Sequence, residues 1–179
     1  QMTWIFYFIS QLALLPLPLV IHHYFHAKHP QQTKLSTITA VFGVVAVSLA
    51  MLGPIIFFST DTHLAQVFMS MPNDSESQTV VLLISSIFAD ISKNMRLFSE
   101  IILSIWLALV GYLLLQTKSA QVVSWLIILV AAWIFTIVSI KLFNPESPFE
   151  DFLGLVLATM YAIIGWWLLQ QSHLAKAKT

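Results

Sequence analysis

The residues best placed to do chemistry are six polar side chains on one face of an otherwise apolar stretch, residues 79–116. At about 3.6 residues per turn, they share roughly one third of the circumference of a helix. Ionised groups at membrane depth cost free energy unless they face protein, water or one another, so this face is a candidate functional site. We call it the charged stripe; its members are Ser86, Asp90, Lys93, Arg96, Glu100 and Ser104.

The charged stripe has three interpretations. In the first, it neutralises itself, because Asp90 and Lys93 are three residues apart and Arg96 and Glu100 are four apart, the spacings of ion pairs on a helix. In the second, Asp90 and Glu100 are relay groups of a proton or ion pathway. In the third, the stripe docks onto a partner subunit that carries complementary charges. The sequence leaves all three open.

Histidines cluster at the end of the first apolar segment in the pattern H-H-x-x-H-x-x-H. On a helix, His22, His26 and His29 fall three or four residues apart, where their imidazoles could bind a metal such as Zn or Cu, or a haem. His173 would lie on the same side of the membrane, so His26 with His173 is the sharpest form of this hypothesis. The alternative is a polar, aromatic-rich helix end that Pro30 terminates.

Catalytic patterns are missing from the chain. It has no HExxH, no GxSxG, no phosphate-binding glycine loop and no dinucleotide fingerprint, and it contains five glycines. It has no cysteine, which excludes thiolate metal sites and cysteine nucleophiles. Eight basic residues balance eight acidic ones, so the net charge offers no electrostatic footprint for nucleic acid. An enzyme is therefore the less favoured class.

The composition is typical of an integral membrane protein. Hydrophobic residues make up 58% of the chain, charged residues 9%, and the mean hydropathy is +0.85, whereas soluble domains are about 25% charged. We predict an all-α fold, a polytopic membrane helical bundle that forms a single domain over residues 1–179. About five transmembrane helices are expected, at 4–27, 35–59, 96–116, 120–142 and 152–171.

Residues 79–116 are too long for one crossing. As a single straight helix they would measure about 57 Å, against a hydrocarbon core of ~30 Å. We therefore expect an interfacial or re-entrant helix at 79–92, followed by the span at 96–116. A polar loop at 60–78, with a short interfacial helix at 62–71, precedes them.

Two further features shape the first two spans. Pro16 and Pro18 are expected to kink the first span, and Gly53 with Pro54 to bend the second, because proline removes a backbone donor. Small residues spaced by three and four positions give the second span a face that allows another helix to approach closely. These small residues are Gly43, Ala46 and Ala50.

Lysines determine the predicted orientation. With five spans, the acidic loops 60–78 and 144–151 fall on one side and most lysines on the other, which the positive-inside rule makes cytoplasmic. The N-terminus is then outside and the C-terminus cytoplasmic; a sixth span at 79–92 is the alternative. Lys141, near the outer end of its span, is expected to extend to the headgroups. The cytoplasmic lysines are Lys28, Lys34, Lys118, Lys176 and Lys178.

Residues 97–133 read as an apolar helix ending in GYLL, a short polar turn and a second apolar helix. This hairpin resembles the GYL-containing hairpin of a family of uncharacterised bacterial multi-pass membrane proteins, classed as a domain of unknown function. The turn differs, because Lys118 and Ser119 stand where that family usually has Arg and Pro. The resemblance implies a bacterial inner membrane protein with one more helix upstream of Gln1, and it implies no activity.

We expect a non-catalytic accessory or interaction subunit of a larger membrane complex, because the loops are too short to build a soluble catalytic site. Its small-residue face and charged stripe would pack against other membrane subunits, and its remaining surface would contact the lipid bilayer. Ion or proton translocation through Asp90 and Glu100 is one alternative. Metal or haem binding by the cluster from His22 to His29 is the other.

Overall fold

A computed structural model of the chain describes helical elements throughout. No strand occurs in the described residues, which confirms the predicted all-α class. Four of the helices are Leu17–Lys28 (α1), Thr33–Ser70 (α2), Ser75–Gln116 (α3) and Gln121–Phe143 (α4). Residues 159–170 form a further helix (α5). A 3-10 turn, Pro30–Gln32, joins α1 to α2. The described residues are 8–9, 11–70, 75–117, 121–144 and 159–170.

Within this part of the chain, three helical stretches are long and apolar enough to cross a membrane. They are Pro30–Ser70, Glu76–Gln116 and Gln121–Phe143. The predicted spans 4–27 and 152–171 lie partly outside the described residues. The predicted total of about five spans therefore stays a prediction.

Prolines bound α1 at both ends. Leu15 and Pro16 form a turn between two helical segments, so the break predicted in the first span is present. Pro18 lies in the first turn of α1, where its missing N–H costs no intrahelical hydrogen bond. At the other end the helix stops at Lys28, two residues before Pro30. This is expected because proline disfavours helical backbone angles in the residue before it.

Helices α2 and α3 are longer than predicted. They have 38 and 42 residues, or about 57 and 63 Å at ~1.5 Å per residue. The predicted break between 79–92 and 96–116 is absent, because α3 contains no proline and its single glycine is Gly111. Helix α2 also continues through Pro54 and into the predicted loop 60–78 as far as Ser70.

The range predicted as one domain divides into two compact units, Gln1–Trp106 and Leu107–Thr179. In the first unit α1 packs on α2, and Gly43 of α2 lies against both Pro18 and Trp106. A Cβ added at Gly43 would lie 2.6 Å from Pro18 Cγ and 2.6 Å from Trp106 Nε1. The absence of a side chain at this position is therefore what lets three helices meet.

The second unit contains the end of α3, and α4 packs closely against it. A Cβ added at Gly111 would lie 2.6 Å from Ile128 Cγ1 and 3.0 Å from the carbonyl oxygen of Ser124. Ile127 and Ile134 of α4 are completely buried. The glycine of the GYL sequence thus marks the close approach of the two helices in the hairpin.

Replacing Gly43 by Ala should destabilise the protein by about 1–3 kcal/mol, because two rigid rings leave no room for a methyl group. Thermal unfolding of the purified protein in detergent measures this effect. The matched control is Gly165→Ala: no atom lies within 4 Å of a Cβ there, so its melting temperature should be unchanged or slightly higher. Equal melting temperatures for the two variants would contradict the tight packing at Gly43.

Candidate functional site

Helix α3 and helix α2 meet along a line of hydroxyl-to-carbonyl hydrogen bonds in the first unit. Ser92 Oγ donates to the carbonyl oxygen of Gly53 at 2.9 Å, and Ser99 Oγ donates to that of Ala46 at 2.9 Å. The two serines are seven residues apart, as are their acceptors, so the bonds recur every two turns of antiparallel helices. We call these four residues the α2–α3 seam.

The α2–α3 seam lies on the small-residue face of α2 that was predicted to pack against another subunit. Here the face packs against residues of the same chain. Gly43, Ala46, Ala50 and Gly53 are all buried. Because Pro18, Trp106 and the two seam serines occupy this face, it is not a surface for another subunit. Ser92 and Ser99 are not among the predicted site residues. The signal that identifies them is a pair of serines two turns apart, opposite a glycine and an alanine of α2.

The ion pair predicted between Arg96 and Glu100 is present. Arg96 Nε lies 3.1 Å from Glu100 Oε1 and donates a hydrogen bond to it. The Glu100 side chain is 6% exposed and the Arg96 side chain is 33% exposed. The carboxylate is therefore buried, and its cation reaches it from a partly open position one turn earlier on α3.

The first half of the charged stripe lies on the surface. Ser86, Asp90 and Lys93 are exposed, and the Ser86 hydroxyl donates to Leu83 of its own helix. Among the described residues, no ion pair within 4 Å joins Asp90 to Lys93. Glu100 and Ser104, in the second half, are buried. The stripe is thus divided into an exposed half and a buried half.

A relay between Asp90 and Glu100 would have to cross about 15 Å, since the two residues are ten positions apart on one helix. Their surroundings also differ, because Asp90 is exposed and Glu100 is buried beside Arg96. The relay stays a prediction. It requires further groups between the two carboxylates, because a proton cannot pass directly over this distance.

The histidines contact the start of α2. His22 Nδ1 lies 3.0 Å from Ser36 Oγ, and His26 Nδ1 lies 3.3 Å from Thr33 Oγ1. The rings of His22 and His26 stack with centroids 5.9 Å apart. His29 is outside α1, with φ −137° and ψ 67°, and packs on the Phe25 ring at 5.9 Å.

The predicted metal site of four histidines is not assembled within the described residues. In this part of the chain, no group of three or more His, Asp or Glu side chains comes close enough to hold a metal ion. His173 lies outside the described residues. Metal or haem binding by the larger set, with His26 and His173 as its core, stays a prediction.

The side chain of Lys141 is buried, contrary to prediction. It is 5% exposed in α4, although it was expected to extend to the headgroups. Lys141 lies three and seven residues after Val138 and Ile134, which are completely buried, so it falls on the inward face of the helix. The second unit therefore holds a buried cation that hydropathy did not reveal.

Replacing Arg96 by Gln should remove the cation beside the buried Glu100 carboxylate. We expect a loss of roughly 1–3 kcal/mol in unfolding free energy, less than for a fully buried pair because Arg96 is partly solvated. Chemical unfolding in detergent measures the loss. Lys93→Gln is the matched control and should change stability by less than about 0.5 kcal/mol, since Lys93 is exposed. An equal loss in both variants would show that the ion pair is not stabilising.

Replacing Ser99 by Ala should weaken the α2–α3 seam by about 0.6–1.7 kcal/mol, the range of interhelical hydrogen bonds in membrane proteins. The measurement is again the free energy of unfolding in detergent. Ser86→Ala, whose hydroxyl bonds within its own helix, is the control and should be nearly neutral. A neutral Ser99→Ala variant would argue that van der Waals packing alone holds the two helices together.

Comparison with known proteins places this architecture in a family. No curated protein and no solved structure matches the chain. A family described as Domain of unknown function (DUF4386) matches residues 1–171. This match spans the helices of both units and confirms the predicted resemblance to a family classed as a domain of unknown function. The chain therefore belongs to the DUF4386 family.

Proposed function

We propose that this chain is a non-catalytic integral membrane protein that serves as an accessory subunit of a larger membrane complex and docks through the exposed half of the charged stripe. The observation that carries the proposal is the exposure of Asp90 and Lys93 without an ion pair to each other in the described structure. Both lie near the middle of a 42-residue helix that is apolar enough to cross a membrane.

The surroundings of these charges favour a protein partner. Ile87, Ile91 and Phe98 of the same helix are 49%, 40% and 62% exposed. A carboxylate and an ammonium group surrounded by apolar surface are costly next to lipid. A partner with complementary charges offsets that cost and sets the register of docking, because like charges placed opposite one another repel.

The proposed docking surface is narrower than the sequence suggested. The small-residue face of α2 is occupied by residues of the chain itself, so it is not part of the surface. The surface we propose consists of the outer face of α3 around Ser86, Asp90 and Lys93. Mixed polar and apolar composition of this kind is common at interfaces between membrane helices.

We infer the orientation from charge. Residues 35–92 contain no lysine or arginine, whereas Lys28 and Lys34 flank the start of α2. The positive-inside rule then makes the start of α2 cytoplasmic and its end at Ser70 external. On this basis we propose that the N-terminus lies outside and the C-terminus in the cytoplasm. The resemblance of the 97–133 hairpin to bacterial multi-pass membrane proteins supports a bacterial inner membrane as the location.

The docking surface can be tested by photo-crosslinking of the full chain in the membranes of its host. A photoreactive residue at Ile87 should give an adduct with one defined protein, and the variant with Asp90→Asn and Lys93→Gln should reduce that adduct roughly tenfold or more. A photoreactive residue at Val41, which is 56% exposed on α2, is the matched control and should give lipid adducts.

Exchanging the two charges, with Asp90→Lys and Lys93→Asp, separates docking from internal pairing. Loss of the adduct in the exchanged variant supports a partner that recognises the order of the charges. An adduct at Ile87 that survives both the neutralised and the exchanged variants, or an adduct with lipid alone, would refute the proposal.

A further inference from the structure

Two histidines of α1 are held by two hydroxyls at the start of α2. His22 Nδ1 is 3.0 Å from Ser36 Oγ, and His26 Nδ1 is 3.3 Å from Thr33 Oγ1. Ser36 is 1% exposed, and its contact with the half-buried His22 is partly buried. Each imidazole is thus anchored through the same ring nitrogen, across the connection between two helices.

The partners of the hydroxyls determine which ring nitrogen carries hydrogen. Ser36 Oγ donates to the carbonyl oxygen of Thr33 at 2.9 Å, and Thr33 Oγ1 donates to that of Pro30 at 2.8 Å. A carbonyl oxygen only accepts, and a hydroxyl has one proton. Both hydroxyls therefore accept from the rings, so Nδ1 of each histidine is the donor and Nε2 of each neutral ring is left with a free lone pair.

We propose that His22 and His26 form a two-imidazole site for a borderline divalent transition ion, Cu²⁺ or Zn²⁺, bound through the two Nε2 atoms. The residues are four apart on one helix, as in the helical histidine pairs of zinc sites, and their rings already stack with centroids 5.9 Å apart. A hydrogen bond donated by the ring nitrogen that does not bind the metal, here Nδ1, is the usual device that orients a metal-binding histidine. Water completes the coordination. This site is independent of the proposed docking surface.

The ligand set is smaller than the cluster of histidines suggests. His29 lies beyond the end of α1 and packs on the Phe25 and Tyr24 rings, at 5.9 and 6.4 Å between centroids. His23 is exposed, and among the described residues it has neither the ring stacking nor the hydroxyl contact that His22 has. Imidazole nitrogen favours Cu²⁺ and Zn²⁺ over Mg²⁺ and Ca²⁺, which prefer oxygen ligands.

The test is titration of the purified full chain in detergent, with Zn²⁺ followed by calorimetry and Cu²⁺ followed by electron paramagnetic resonance. One ion should bind per chain, and the Cu²⁺ spectrum should show nitrogen ligation. His22→Gln and His26→Gln should each weaken binding at least tenfold. His23→Gln is the matched control, adjacent in sequence, and should bind as tightly as the original chain.

A second variant distinguishes a built site from histidines that happen to be near one another. Ser36→Ala keeps both ligands but removes the acceptor that orients His22, so affinity should fall roughly 10- to 100-fold. Thermal unfolding without metal shows that each variant is folded. Equal losses in His23→Gln and His22→Gln, unchanged affinity in Ser36→Ala, or no ion bound by the original chain would each overturn the proposal.

Discussion

The α2–α3 seam is the contact on which the rest of the first unit depends. Between apolar helices in a membrane, close packing and interhelical hydrogen bonds replace the hydrophobic effect as the driving force. Ser92 and Ser99 can reach backbone carbonyls of α2 because Gly53 and Ala46 keep the two backbones near each other. The same small-residue face receives Pro18 of α1 and the Trp106 ring at Gly43. A larger side chain on this face would push the helices apart and so weaken these contacts together.

The continuity of α3 through the predicted break has a local cause, the absence of proline, to which the seam adds contacts. The predicted division of residues 79–116 rested on the thickness of a bilayer, which limits a span but does not interrupt a helix. No proline removes a backbone N–H donor from the interior of α3, and its single glycine, Gly111, is near its end. Contacts at Ser92 and Ser99 add side-chain bonds on either side of the expected break at 93–95.

Rotation and position along α3 together divide the charged stripe. At about 100° per residue, Asp90 lies roughly 160° around the helix from Ser92, whereas Arg96 lies roughly 40° from it. Turning Ser92 and Ser99 toward α2 therefore directs Asp90 to the surface and brings Arg96 to the edge of the packed region. Lys93 and Glu100 differ by only about 20° in rotation, so the exposure of Lys93 and the burial of Glu100 depend on their different positions along α3. One stripe thus contains a pair of exposed charges, Asp90 and Lys93, and an ion pair whose carboxylate is buried. The hydroxyl contacts of His22 and His26 have a separate origin: α1 folds back onto the start of α2.

Features that lie within one helix could be predicted from the sequence. Hydropathy indicated helices able to cross a membrane, Pro16 and Pro30 bounded α1, and the four-residue spacing of Arg96 and Glu100 predicted their ion pair. Each of these depends on residues of a single segment. The tertiary structure alone decided which hydroxyls join α2 to α3, that Asp90 is exposed, that Lys141 is buried and that His22 meets Ser36. Those outcomes depend on how one helix is rotated and shifted against another, and rotation is set by small differences in packing that no single segment encodes.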